Sequence, residues 1–344
     1  MPTIPTLTGV LDPGQLGVTL MHEHIFIRTP EVQEAFPGFM DWDEEAEIEL
    51  ARNRLAALRR GGVDTIVDCT APGLGRDVRL MARAGEGTGL NVIACTGYYT
   101  YATLPFPFQY HGPGKLFEDR GDELLVSLFV RDIEEGIQGT GIRAGLLKCC
   151  TDEPGVTPDI ARVLRAVARA HHRTGVPITT HTHAPTRRGL DQQRIFQEEG
   201  VDLGRVIIGH CNDTTDFGYL EQLIANGSYI GFDRCGLHLV VDLESQLGTM
   251  AELCRRGYAE RLVFSHDRHC RSDWFTEEEV ESVVPDWHYD YIRDSVLPAL
   301  AARGVSAEQV QQMMVRNPRD IFSAGSRPAD TVVPASAVAP GPAQ

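Results

Sequence analysis

Positive charge is scarce in this chain. Across 344 residues, 32 lysines and arginines face 48 aspartates and glutamates, a formal net charge of −16. The deficit excludes nucleic acid and anionic membrane as expected partners, because both are polyanions. The acidic residues are spread along the sequence, as on a solvated surface. No uninterrupted apolar run is long enough to cross a bilayer. The first residues, Met-Pro-Thr-Ile-Pro-Thr, have neither the basic start nor the apolar stretch of a secretion signal. Eight cysteines (Cys69, Cys95, Cys149, Cys150, Cys211, Cys235, Cys254 and Cys270) include no Cys-x-x-Cys pair, and the chain is too long for a disulfide scaffold. Several lie in apolar runs, where a free thiol behaves as a small hydrophobe. Reduced cysteines and a cytoplasmic location are therefore expected. Also absent are a Gly-x-Gly-x-x-Gly loop opening a helix, a Walker loop, a Gly-x-Ser-x-Gly elbow and a His-Glu-x-x-His helix.

What is present is a repeat of short apolar segments alternating with helical patterns. The segments are Val18–His24, Thr65–Cys69, Asn91–Thr96, Ala144–Cys149, Pro177–His181, Val206–Gly209, Tyr229–Phe232 and Leu262–Ser265. Most are apolar nearly throughout, as parallel strands covered on both faces must be. Helices are expected between them, including Glu44–Arg60 and Pro158–Thr174, the latter with Pro near its start and Gly175 at its end. Eight strand–helix units predict an α/β fold, a closed (β/α)8 TIM barrel over residues 17–322, with a doubly wound open sheet as the rival. Residues 1–16 form an N-terminal segment. The Pro/Ala-rich stretch 323–344 has no periodicity and is expected to be disordered. Two long connections, after the third and eighth segments, are rich in aromatics and would share the catalytic face of a barrel.

The chemistry concentrates at the strand ends. His22 and His24 stand two apart on an apolar strand, which points both to one face; Glu23 between them points into the barrel wall, as a structural partner. Lys148 sits inside Leu146-Leu147-Lys148-Cys149-Cys150, an unusual place for a lysine. An amine withdrawn from water becomes nucleophilic. It can form a Schiff base with a carbonyl substrate, or take up carbon dioxide as a carbamate that bridges two cations; alternatively it snorkels to the barrel mouth. His181 ends the fifth segment, His210 the sixth, and Asp267 follows the eighth. Each alone reads as a structural residue. Together with Lys148 they would converge on the barrel axis. Such donors suit Zn, Co, Fe or Mn. Two such ions about 3.5–4 Å apart would hold a hydroxide that is available at neutral pH.

With Met21-His22-Glu23-His24, Leu147-Lys148, Thr180-His181, Ile208-Gly209-His210 and Ser265-His266-Asp267 in this order, the chain resembles the phosphotriesterase family of the amidohydrolase superfamily, from about Leu16 to Phe322. The resemblance implies a binuclear centre. His22, His24 and Asp267 would hold the more buried metal, His181 and His210 the more exposed one, and N6-carboxylysine at Lys148 would bridge them. His183 and His266 fall on no ligand position. Thr96-Gly97-Tyr98-Tyr99 and Gly231-Phe232-Asp233-Arg234 are most similar to the phosphotriesterase-like lactonases. That similarity implies a homodimer acting on small molecules. Its main activity would be opening N-acyl-homoserine lactones, which quenches quorum signals, with promiscuous hydrolysis of organophosphate esters. Asp267 would serve as general base and then acid, Tyr99 and Arg234 would orient the ring, and Trp274 and Phe275 would line an acyl channel. A primary phosphotriesterase is the nearest alternative, and a Schiff-base aldolase using Lys148 a more remote one.

Overall fold

Strands that are apolar on both faces need cover on both, and the chain supplies it by curling its parallel sheet around an interior and ringing it with helices. The computed structural model describes residues 3–39, 41–117 and 123–323. A small hairpin, β1 (Ile4–Thr6) and β2 (Gly9–Leu11), precedes the barrel. The eight expected segments appear as β3 (Thr19–Ile27), β4 (Thr65–Asp68), β5 (Asn91–Gly97), β6 (Leu146–Thr151), β7 (Ile178–Thr182), β8 (Val206–Ile208), β9 (Tyr229–Phe232) and β10 (Leu262–Phe264). A further strand, β11 (His269–Ser272), lies inside the connection after β10.

Sequence-adjacent strands from β3 to β10 pair in parallel, and β11 pairs in parallel with β3 on its other side. The sheet therefore ends on β10 and β11, which follow one another in the chain. The turn between them, Ser265–Arg268, is the seam of the closed barrel and carries Asp267. Two hydrogen bonds cross it, from the Asp267 amide to the His22 carbonyl (3.1 Å) and from the His24 amide to the Arg268 carbonyl (2.9 Å).

Glu23 clamps this seam. It is fully buried. Its Oε1 accepts from Ser265 Oγ (2.9 Å), the His266 amide (2.9 Å) and His266 Nδ1 (2.8 Å), and its Oε2 from the Arg268 amide (2.9 Å). Removing this acceptor strands four buried donors at once. Glu23→Ala is expected to cost about 3–5 kcal/mol of stability, by analogy with broken buried pairs. Its urea midpoint will show this, and a midpoint equal to that of the parent chain would mean that the backbone bonds alone close the barrel.

The interior below the site is filled by Met21, Val67, Ile93, Cys95, Leu146, Ile207 and Val263, with Ile4, Leu16 and Phe322 packed against them from the chain ends. The larger core lies between sheet and helices. Helix Glu44–Arg60 starts on Asp43, whose side chain accepts from the Glu45 and Ala46 amides, and has acids in its first turn and Arg59 and Arg60 in its last, matching the helix dipole. Helix Pro158–Thr174 starts on Thr157 and stops at Gly175 in the left-handed region (φ 75°). It also anchors the aromatic connection after β5: Asp159 accepts from the Leu104 amide (2.9 Å) and Arg162 donates to the His111 carbonyl (2.6 Å). All eight cysteines are buried and unpaired. Among the described residues no helix is long and apolar enough to cross a membrane. The stretch expected to be disordered lies, beyond Ser323, outside the described residues.

Candidate metal centre

His22 and His24 on β3, Lys148 on β6, His181 on β7, His210 just after β8 and Asp267 after β10 all line one cavity of about 530 Å3 at the carboxyl ends of the strands. A bulge makes this possible. Met21 faces the interior, so simple alternation would bring Glu23 inside; instead the register of β3 on β4 shifts between Leu20 and Glu23, and both imidazoles turn inward. Lys148 is only 1% exposed, so it does not snorkel to water. Its Nζ lies 2.6 Å from His22 Nε2. Gly97 leaves room for this strand: a Cβ there would stand 1.9 Å from the Lys148 carbonyl oxygen. Asp267 Oδ1 is 3.4 Å from His22 Nε2 and 3.2 Å from His24 Nε2. His210 Nε2 is 2.9 Å from His181 Nδ1.

Carboxylates behind the rings set their tautomers. An ionised carboxylate only accepts, so the nitrogen facing it carries the proton and the other nitrogen offers a lone pair. Asp233 faces Nδ1 of both His22 (3.0 Å) and His210 (2.9 Å). Asp152 faces Nε2 of His181. His24 Nδ1 meets Thr70 Oγ1 at 2.8 Å. His210 Nε2 and His181 Nδ1 thus point lone pairs at each other across 2.9 Å, an arrangement that repels unless a cation lies between or beside them. His22, His24 and Asp267 place three further donor atoms within 4.8 Å of one another. The donor set fits two divalent cations. His22, His24 and Asp267 would hold one and His181 and His210 the other, with Lys148 beside His22.

Electrostatics keep these donors in ligating form. Burial, aided by the Lys148 charge, lowers the His22 pKa; burial lowers His181 to about 4 against the pull of Asp152, and lowers His210 well below the usual value. Burial pushes the Asp267 carboxyl up, but His22, His210, the His24 hydrogen bond and Arg234 together hold it well below the ordinary range. Both His210 (φ 56°) and Asp267 (φ 55°) adopt the left-handed region. That conformation costs about 1–2 kcal/mol in a residue with a Cβ and often marks functional sites.

The remaining expected residues also reach the cavity. Tyr99 OH is 3.4 Å from His181 Nδ1 and donates to Tyr101 OH at 3.1 Å. Arg234 donates from Nε to Asp267 Oδ2 (3.1 Å) and from Nη1 to Asp213 Oδ2 (2.6 Å). Trp274 and Phe275 stand half-exposed at the mouth. His266 turns away to Glu23, and His183 Nδ1 meets Thr186 Oγ1 (2.8 Å), so neither faces the donors. Sequence reasoning assigned no role to Asp233, Asp213, Asp152 or Thr70. Their one signal was position: Asp152, Asp213 and Asp233, like Asp267, closely follow apolar strands.

The phosphotriesterase family model matches residues 2–322. A phosphotriesterase homology protein from Mycobacterium tuberculosis is 53% identical over 322 residues, covering 94% of this chain and 98% of that protein. The solved structure of the phosphotriesterase from the same organism superposes with a TM-score of 0.90 at 53% identity, over 94% of this chain and 98% of that one. An aryldialkylphosphatase from Saccharolobus solfataricus is 38% identical over 91% of this chain and 97% of its own length. A mutant phosphotriesterase-like lactonase from Deinococcus radiodurans is 33% identical, with a TM-score of 0.83 over 93% of this chain and 100% of that one. With its barrel, its converging donors and these matches, the chain belongs to the phosphotriesterase family of the amidohydrolase superfamily and is a metal-dependent hydrolase.

Proposed function

We propose that the protein opens lactone rings, with N-acyl-homoserine lactones as its substrate class and phosphotriesters as side substrates. The shape of the cavity carries this reading. Besides the polar donors, the cavity is lined by Leu237, Leu239, Val240, Trp274, Phe275 and Val283, and all of these but Leu237 are exposed large apolar side chains, so the lining runs from the donors to an apolar mouth. A long acyl chain matches such a path, whereas the compact substituents of a phosphotriester leave most of it empty. Relatives carry both activities in their names, a lactonase from Deinococcus radiodurans and an aryldialkylphosphatase from Saccharolobus solfataricus.

Two bound cations would polarise the ester carbonyl and supply a water acidic enough to act as nucleophile at neutral pH. The chain's own groups do the rest. Asp267 accepts the proton of the attacking water and returns it to the leaving alkoxide. Arg234, held between Asp267 and Asp213, keeps that carboxylate oriented. The Tyr99 hydroxyl orients the ring over His181. Because an ester bond breaks without a covalent enzyme intermediate in this scheme, borohydride leaves activity intact and chelators abolish it, the reverse of a Schiff-base aldolase.

kcat/KM for a long-chain acyl lactone is expected to exceed that for paraoxon, and a higher value for paraoxon would reverse the order of activities. Phe275→Ala is expected to lower the preference for long over short acyl chains by roughly tenfold, the equivalent of about 1.4 kcal/mol of apolar contact. An unchanged chain-length profile would show that the chain lies elsewhere.

A further inference from the structure

One carboxylate stands behind ligands of both metal sites. Asp233 Oδ2 accepts from His22 Nδ1 at 3.0 Å, while its Oδ1 accepts from His210 Nδ1 at 2.9 Å and from the His210 amide at 2.7 Å. The residue is 1% exposed. Asp152, by contrast, meets only His181 among the ligands, and Thr70 only His24. The fold makes room for Asp233 chiefly at Gly231, and Gly209, whose closest neighbour is the Thr180 carbonyl oxygen, borders the same carboxylate. A Cβ on Gly231 would stand 2.5 Å from Asp233 Oδ2, and one on Gly209 would stand 3.0 Å from it.

We propose that Asp233 is a positioning residue that couples the two metal sites, so that filling one prepares the other. The inference rests on the two-metal reading of the centre. A cation on His22 Nε2 draws electron density from that ring and strengthens the Nδ1–H bond to Asp233 Oδ2. The carboxylate is then fixed in one plane, and its other oxygen holds His210 with Nε2 turned toward the second site. Ordering of both rings falls on the first ion, and the second binds to a ring already set. Asp152 lacks this reach and acts on one site alone.

The experiment titrates metal-free full-length protein with Zn(II) in saturating bicarbonate, which keeps Lys148 in the same state throughout, and counts bound ions per chain by native mass spectrometry. At one equivalent, the parent chain is expected to divide between metal-free and two-metal forms. Asp233→Asn offers a single acceptor oxygen and sets an amide NH2 against the other ring N–H. It is expected to weaken both sites by roughly 10–100-fold and to make the one-metal form predominate at intermediate loading. Gly231→Ala crowds the carboxylate without changing its chemistry and is expected to reproduce that pattern. It decides the matter if Asp233→Asn does not fold by circular dichroism. Asp152→Ala is expected to weaken one site only.

A predominant one-metal form in the parent chain, or a parent-like distribution in the folded Asp233 or Gly231 variant, would overturn the coupling. So would an Asp152 variant that behaves like Asp233→Asn. Failure of the parent chain to take two ions at saturation is a different outcome: it removes the two-metal reading, and the coupling with it.

Discussion

Lys148→Met is expected to lower kcat/KM for lactones by roughly a thousand-fold or more, about 4 kcal/mol of the several that a well-held metal site contributes to a transition state. The effect is chemical rather than structural. Methionine nearly conserves the volume of lysine, so packing around β6 survives the exchange. The strand itself is held by its pairing with β5 and β7, which does not involve the side chain. What disappears is the buried amine nitrogen that faces His22 Nε2 across 2.6 Å. Metal content is expected to fall with activity, since a carboxylated Lys148 would bridge the two ions. The chain contains only two lysines, Lys115 and Lys148, so mass spectrometry of two peptides locates any borohydride adduct. Activity within tenfold of the parent would end the role assigned to this amine. A borohydride adduct on Lys148 with loss of activity would move the protein to the aldolase class.

Asp267→Asn is expected to lower kcat by roughly a thousand-fold, within the range for loss of a positioned proton-transfer group, with KM changed far less. Asparagine keeps the shape and can still accept from Arg234, but it carries no charge and takes up no proton. It also presents an NH2 to imidazole nitrogens that Asp267 now meets with an anionic oxygen at 3.2 and 3.4 Å. Metal counting separates the two roles of this residue. Two ions retained with slow turnover isolates proton transfer; one ion lost shows that ligation dominates. Arg234→Ala, which leaves the carboxylate in place and frees only its Oδ2, is expected to cost less than Asp267→Asn. Equal losses would mean that the two act as a unit, as catalytic groups in contact often do.

Much of the centre was legible in the chain because parallel strands buried on both faces leave a plain signature. An apolar run ending in His181 or His210 identifies both the strand and the end that carries chemistry, and a lysine inside such a run, as Lys148 is, stands out by its type. Helix boundaries were legible for similarly local reasons: Pro158 opens one helix, and Gly175, which accepts a left-handed backbone, closes it. The carboxylates behind the ligands were not legible. Asp152, Asp213 and Asp233 are ordinary acids in a chain that has 48 of them, and their partners lie 21 to 211 residues away. Strand β11 was missed because His269–Ser272 is short and polar. It is held by pairing with β3, not by its own propensity.

The residue types at the strand ends, the strand–helix alternation and the candidate donors are written locally in the chain, because each follows from short-range periodicity and side-chain chemistry. How those donors face one another is set by long-range contacts. The spacing of His22 and His24 already places both imidazoles inside the barrel, but the bulge in β3 that turns them there, and the Glu23 clamp that sets where the seam places Asp267, are tertiary. The buried carboxylates decided which imidazole nitrogen keeps its lone pair. These are contacts between residues far apart in the chain, and their energies exist only once folding has excluded water from between them.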